Sequence, residues 1–377
     1  MSAWPGKYVI GLTGNIATGK SVVRKMLEHL GAYGIDADAL GHRAIAHDAP
    51  GYKAVVDTFG KWVLAPDGQV DRAELARIVF TDPEALVQLE SIIHPLVRQA
   101  VDLLIKRSSQ KVIVVEAIKL LEGPLHQACD TIWVTYTPKE VQISRLIQKR
   151  GMSTAVAHQR VNSQPPQNEK VKAANTVIHN EGSFEDTWKQ VTTAWQALFP
   201  AYESGAYKPI SAPKGVLLVE KARPRHASEI ASLISRLSDG KAKPTSEDIM
   251  AAFGEKAYLF LKLDGQPVGV VGWQVENLVE RTDDVYIEPS QSLPNAMQAV
   301  LKEIEATSRD LQCEAALLFL PPELSRKVEV WNSLGYEIRT IDSLGVRAWQ
   351  EAAQETIGEG ESMYFKQLRK DRVLRPV

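Results

Sequence analysis

A chain of 377 residues, 44% apolar and 24% charged, is ordinary in composition for a globular protein and long for one hydrophobic core, so two domains are expected. A net charge of −2 excludes the strong basic field of a general nucleic-acid or membrane-surface binder. Two cysteines, Cys129 and Cys313, are too few for a disulfide framework or a cysteine-rich metal site and fit reduced thiols in a cytoplasmic protein.

The opening residues, MSAWPGKYVIGLTG, lack the basic stretch and long apolar run of a signal peptide. No segment approaches the roughly 20 apolar residues that span a bilayer. The densest run, VIVVEAIKLLEG, is interrupted by Glu116 and Lys119. A soluble protein with neither a membrane nor a nucleic acid as partner is expected.

Up to about Pro200, strands and helices alternate. KYVIGLTG predicts a buried strand, and KSVVRKMLEHLG a helix with Val22, Met26, Leu27 and Leu30 on one face, ended by Gly31. AYGIDADAL predicts a short second strand running into a loop, and KVIVVEA and DTIWVTY two further apolar strands. Short apolar strands separated by helices indicate an α/β fold with a parallel sheet covered on both faces. Residues 201–215, AYESGAYKPISAPKG, mix Gly, Pro, Ser and Ala without period and read as a linker between a domain over 1–200 and another over 216–377.

Beyond it, VLLVEKA predicts a strand, PRHASEIASLISRLS an amphipathic helix, and KAYLFLKLDGQPVGVVGWQVE a hairpin turning near Asp264-Gly265. DDVYIEP, LPNAMQAVLKEIEATSRDL, EAALLFLP and SRKVEVWNSLGYE follow as strand, long helix, strand and a helix ending at Gly335. The pattern predicts an α+β domain on an antiparallel sheet.

The strongest chemical signal is Gly14-Asn15-Ile16-Ala17-Thr18-Gly19-Lys20-Ser21, a G-x-x-x-x-G-K-S phosphate loop between a strand and a helix. Its glycines let successive N–H groups converge on phosphate oxygens, and the helix that follows adds its positive end. Lys20 can reach the β and γ phosphates, and the Ser21 hydroxyl can ligate Mg2+. About one chain in a hundred of this kind would match by chance, fewer once strand and helix are required. The loop therefore predicts nucleoside triphosphate binding, although such loops serve GTPases, motors and small-molecule kinases alike.

Asp36 and Asp38 follow at i and i+2, which share a face on an extended segment. A carboxylate there can deprotonate an acceptor hydroxyl or support a Mg2+ shell. The ordinary alternative is a solvated turn or a helix cap.

Over residues 7–200 the ordered series GLTGNIATGKS, GIDADAL, DGQVDRAELARIVF, LESIIHPLVR, LLE, RVNSQ and TVIHNEGS resembles the dephospho-coenzyme A kinase family. The resemblance implies phosphorylation of the ribose 3′-hydroxyl of dephospho-CoA by ATP with Mg2+, the last step of coenzyme A synthesis. It makes Asp38 the base and places Asp36, His94 and Glu122 on the acceptor side. It puts Arg145, Lys149, Arg150, Arg160 and Gln164 in an ATP-facing lid, with Arg145 and Arg160 foremost; His94 can equally be a helix-start residue before Pro95. Two stretches depart from the family pattern. Its acidic-x-P-L-L-F-E reads EAIKLLE, with Ile118 for Pro and Lys119 for Leu, and its R-x-x-x-A-D reads Lys170 to Asn175, without the Arg or the Asp.

Residues 216–340 resemble, mainly in element order, the GNAT-type N-acetyltransferase fold. That family's glycine-rich pyrophosphate loop corresponds to EPSQSLPNAMQ, which has no glycine and carries Pro294 where an N–H is needed. Glu288 is a generic base candidate, or an exposed strand-end residue. The expectation is an active kinase followed by a degenerate, accessory or regulatory module. A nucleotide-sensing protein without catalysis, or a kinase for another hydroxyl acceptor, is the alternative.

Overall fold

The computed structural model describes residues 3–200 and 215–374. Of the expected linker, 201–214 lie outside the described residues; Gly215 donates its N–H to Asp264 Oδ1 at 2.8 Å.

The first half runs β1 (Tyr8–Thr13), α1 (Lys20–His29), β2 (Tyr33–Asp36), α2 (Ala37–Ala44), α3 (Tyr52–Phe59), α4 (Arg72–Thr81), α5 (Pro83–Arg107), β3 (Val112–Glu116), β4 (Thr131–Tyr136), α6 (Lys139–Arg150), α7 (Thr154–Asn162), α8 (Gln167–Ala173), β5 (Thr176–His179) and α9 (Phe184–Leu198). Its five strands form one parallel sheet in the order β2-β3-β1-β4-β5. The chain leaves β1 for one side of the sheet and crosses to the other after β3. The loop after β1 thus sits at the switch point where α/β sheets bind ligands.

Two cores cover the sheet. On one face Ile10, Leu12 and Trp133 pack with Val23, Met26 and Leu27 of α1 and Trp195 of α9. The buried stripe of α1 is Val23, Met26, Leu27 and Leu30, at i, i+3, i+4 and i+7; Val22 stands one position off that phase and is only half-buried. On the other face Val9, Ile35, Ile113 and Val115 meet Leu40 of α2 and Val97, Val101 and Leu104 of α5.

The second half runs β6 (Leu217–Lys221), α10 (Ala227–Leu237), α11 (Ser246–Ala252), β7 (Ala257–Leu263), β8 (Gln266–Glu276), β9 (Val279–Ile287), α12 (Leu293–Asp310), β10 (Ala315–Leu320), α13 (Pro322–Ser325), α14 (Val328–Ser333), β11 (Glu337–Ile338), α15 (Arg347–Thr356) and β12 (Ser362–Gln367). The seven strands are ordered β11-β12-β10-β9-β8-β7-β6. The sheet is mixed rather than antiparallel, because β9 and β10 pair in parallel, Val279–Thr282 against Ala315–Leu318. Helix α12 is the crossover that a parallel neighbour requires.

The two halves are in extensive contact. Leu278 and Leu374 are buried in the same cluster as Ile35, Ala37 and Leu40. Arg43 of α2 forms a buried ion pair with Glu314 at 2.7 Å and donates to the Asn277 carbonyl at 2.6 Å. Among the described residues, no helix is long and apolar enough to cross a membrane.

Candidate active site

The phosphate loop is built from close backbone approaches. A Cβ on Gly14 would lie 2.3 Å from Thr135 Oγ1, and one on Gly19 would lie 1.8 Å from Asn180 Nδ2, so neither position admits a side chain. Thr18, fully buried, bridges Thr135 Oγ1 at 2.7 Å and the Asn15 carbonyl at 2.8 Å. It serves as loop wall through its side chain. Among the described residues, the N–H groups of Ala17 and Gly19 have no protein acceptor, which suits an anion.

Lys20 opens α1, is buried, and reaches back to the Asn15 carbonyl at 3.3 Å. Burial lowers its pKa, and the nearby Lys170 adds to that, while Glu116 and Asp38 oppose it. Ser21 Oγ donates to Glu116 Oε1 at 2.9 Å. The other Glu116 oxygen takes Arg24 Nε at 2.7 Å, and Arg24 also pairs with Glu28 at 2.6 Å. Glu116 ends β3 and stands in register with Leu12 and Asp36, so three strand ends bring the acids and the loop together. Glu116 is not among the site residues that the sequence predicts; a carboxylate closing an otherwise apolar strand is the signal that points to it.

Asp36 and Asp38 do not share a strand face. The chain turns directly into α2 after Asp36, whose Oδ1 accepts the Ala39 N–H at 2.8 Å as a helix cap. Asp38 lies in the first helical turn and accepts the Ile118 N–H on Oδ2 at 2.9 Å. Burial raises the pKa of both: Asp36 to about 6, helped by Glu116, and Asp38 against the opposing pull of the Ile118 N–H and the Lys20 charge.

The lid is latched to the loop. Gln164 Oε1 accepts the Ile16 N–H at 2.7 Å, and Asn15 Nδ2 donates to the Pro165 carbonyl at 2.9 Å. Arg145 donates to the Ala17 carbonyl at 3.2 Å and the Asn180 carbonyl at 2.7 Å, which sets its guanidinium against the loop. Arg160, Lys149 and Arg150 are exposed, while Ala157 and Val161 of the same lid pack against Ile16 and Ala17 of the loop. His94 is exposed in the middle of α5, immediately before Pro95, and does not start a helix.

The departures from the family pattern have structural substitutes. Lys170 is buried, donates to the Ile118 carbonyl and lies 3.7 Å from Glu122, so a cation is kept beside the loop lysine and Asp38. Asn175 exchanges bonds with the Ile132 backbone, its Oδ1 accepting the N–H at 2.7 Å, and so holds the start of β5. Lys119 points outward to Glu90 of α5 at 2.8 Å.

A five-stranded parallel sheet, a phosphate loop at its switch point and a helical lid clasping that loop define a P-loop small-molecule kinase. Residues 8–186 match the family model described as dephospho-CoA kinase. The dephospho-CoA kinase of Carboxydothermus hydrogenoformans is 44% identical over 191 residues, which are 50% of this chain and 93% of the relative. The chain belongs to the dephospho-CoA kinase family. A solved dephospho-CoA kinase from Campylobacter jejuni is 29% identical with a TM-score of 0.35, covering 51% of this chain and 98% of that one. Over 40% of this chain and 99% of the other, an acetyltransferase of the GNAT family from Streptococcus pneumoniae is 16% identical with a TM-score of 0.32.

Proposed function

We propose that the protein transfers the γ-phosphoryl group of ATP to the ribose 3′-hydroxyl of dephospho-CoA. The carrying observation is the placement of Asp38: a half-buried carboxylate at the start of α2, oriented by the Ile118 N–H and within the field of Lys20. Burial raises its proton affinity, as a general base requires, and Lys20 keeps that rise in check. In the reaction Asp38 takes the hydroxyl proton, the ribose oxygen bonds to the γ-phosphorus, and the bond to the β-phosphate oxygen breaks to release ADP.

Lys20 and the loop N–H groups hold the β and γ phosphates, and Arg145 neutralises charge on the transferring group. The Ser21 hydroxyl and the Glu116 carboxylate present hard oxygens, which fit Mg2+. Bound there, Mg2+ would supply charge neutralisation of the phosphates. Asp36 shapes the site as the cap of α2, and Glu122 holds Lys170 on the acceptor side. His94 and Arg160 are assigned to the acceptor and the nucleotide, respectively, by family likeness; both are exposed in this conformation.

The C-terminal half, with its acetyltransferase-like element order, acts as an accessory or regulatory module. The domain division at 200 and 216, and residence in the cytoplasm, belong to this reading. The test is ADP release. ATP turnover should depend on dephospho-CoA and vanish in a folded Lys20→Ala protein. Turnover that ignores dephospho-CoA but responds to another alcohol would transfer the reading to that acceptor.

A further inference from the structure

The hairpin joining β8 to β9 turns on two residues, Asn277 and Leu278, between the paired Glu276 and Val279. Both have positive φ, 51° and 61°, as a two-residue turn of this hand demands. Asn suits the first position, but the second favours glycine, and a leucine there is strained. Its side chain is nonetheless buried in the kinase core, with Ile35, Ala37 and Leu40. Around the tip, Arg43 of α2 holds the Asn277 carbonyl at 2.6 Å and Glu314 at 2.7 Å, and Lys25 of α1 holds the Val275 carbonyl at 2.7 Å. The strained tip thus enters the kinase half against α2, the helix whose first turn carries Asp38.

We propose that the Asn277–Leu278 tip is a positioning element for phosphoryl transfer: wedged against α2, it sets where Asp38 stands. The inference rests on Asp38 acting as the base, as proposed above. A misplacement of about 1 Å in a reacting group costs up to about a hundredfold in rate. Arg43 and Leu278 are positioning residues; neither touches a reacting atom.

The test is Leu278→Gly in the full chain. Asn-Gly is the favoured pair for this turn, so the hairpin keeps its geometry while the wedge is removed. The expected result is a fall in kcat of about ten- to a hundredfold, with KM for ATP within about twofold because the phosphate loop is not contacted, and recovery of most of kcat in Leu278→Met. Wild-type kcat in Leu278→Gly overturns the inference, as does a parallel loss of kcat and ATP affinity, which signals general loosening. If Leu278→Gly does not fold, Arg43→Lys, which keeps the charge but puts one nitrogen on a shorter chain in place of the two that reach Asn277 and Glu314 separately, is read on the same split and decides in the same way. A wild-type protein without dephospho-CoA-dependent turnover removes the functional reading and this inference with it; active wild type with an unaffected variant removes this inference alone.

Discussion

Ile118 gives its backbone N–H to Asp38 Oδ2 at 2.9 Å, and the carbonyl of the same residue accepts from Lys170 and from Thr13 Oγ1. The backbone of one residue, through its two flanking peptide groups, therefore orients a carboxylate on one side and a buried cation on the other. The related family pattern has proline at this position, which has no N–H to offer.

Ile118→Pro tests what that donor does. The bond favours the charged form of Asp38 and holds its pKa below where burial alone would put it. Removing it should raise that pKa, so the acidic limb of the kcat profile moves to higher pH while the alkaline side stays in place. An unmoved limb in an active variant would show that the bond is not felt by the base.

Much of this site was legible in the sequence, and the misses have physical causes. The phosphate loop declares itself by glycines that no other residue can replace. The turn of the chain into α2 was hidden because IDADAL alternates like a strand, while a side-chain cap at Asp36 starts the helix at once. Glu116, Lys170 and the peptide of Ile118 come together only through tertiary pairing of strand ends and the lid. The parallel pairing of β9 and β10 was equally out of reach of local pattern, since alternation gives a strand but not its neighbour's direction. The wedge at Leu278 runs against turn preference and needs the other half of the chain to explain it.

Glu280 provides a stability prediction away from the kinase site. It is fully buried, Thr282 donates to Oε1 at 2.5 Å, and Oε2 has no hydrogen-bond partner among the described residues. Burial raises its pKa to about 8 from an ordinary 4.5. The folded state then binds a proton that the unfolded state has released, so stability is greatest below the lower value and falls as pH rises to the upper one. Melting temperature should drop between these values in the wild type, and Glu280→Gln should lose that part of the slope. Equal slopes in both proteins would contradict the assignment.

No acetyl transfer is expected from the C-terminal half. Helix α12 starts at Leu293 with Pro294 in its first turn, where a pyrophosphate would need an N–H, and the preceding residues supply no glycine. The full chain incubated with acetyl-CoA and a panel of amines should release no CoA above background. Amine-dependent release would make the protein bifunctional.

The central claim is the reaction itself, and phosphorus NMR of the products tests it most directly. Dephospho-CoA and ATP incubated with the protein should give ADP and one new phosphomonoester resonance on the ribose 3′ position. Asp38→Asn should form the same product about 10²–10⁴-fold more slowly. Consumption of ATP without that resonance, or an Asp38→Asn protein as fast as the wild type, would contradict the account.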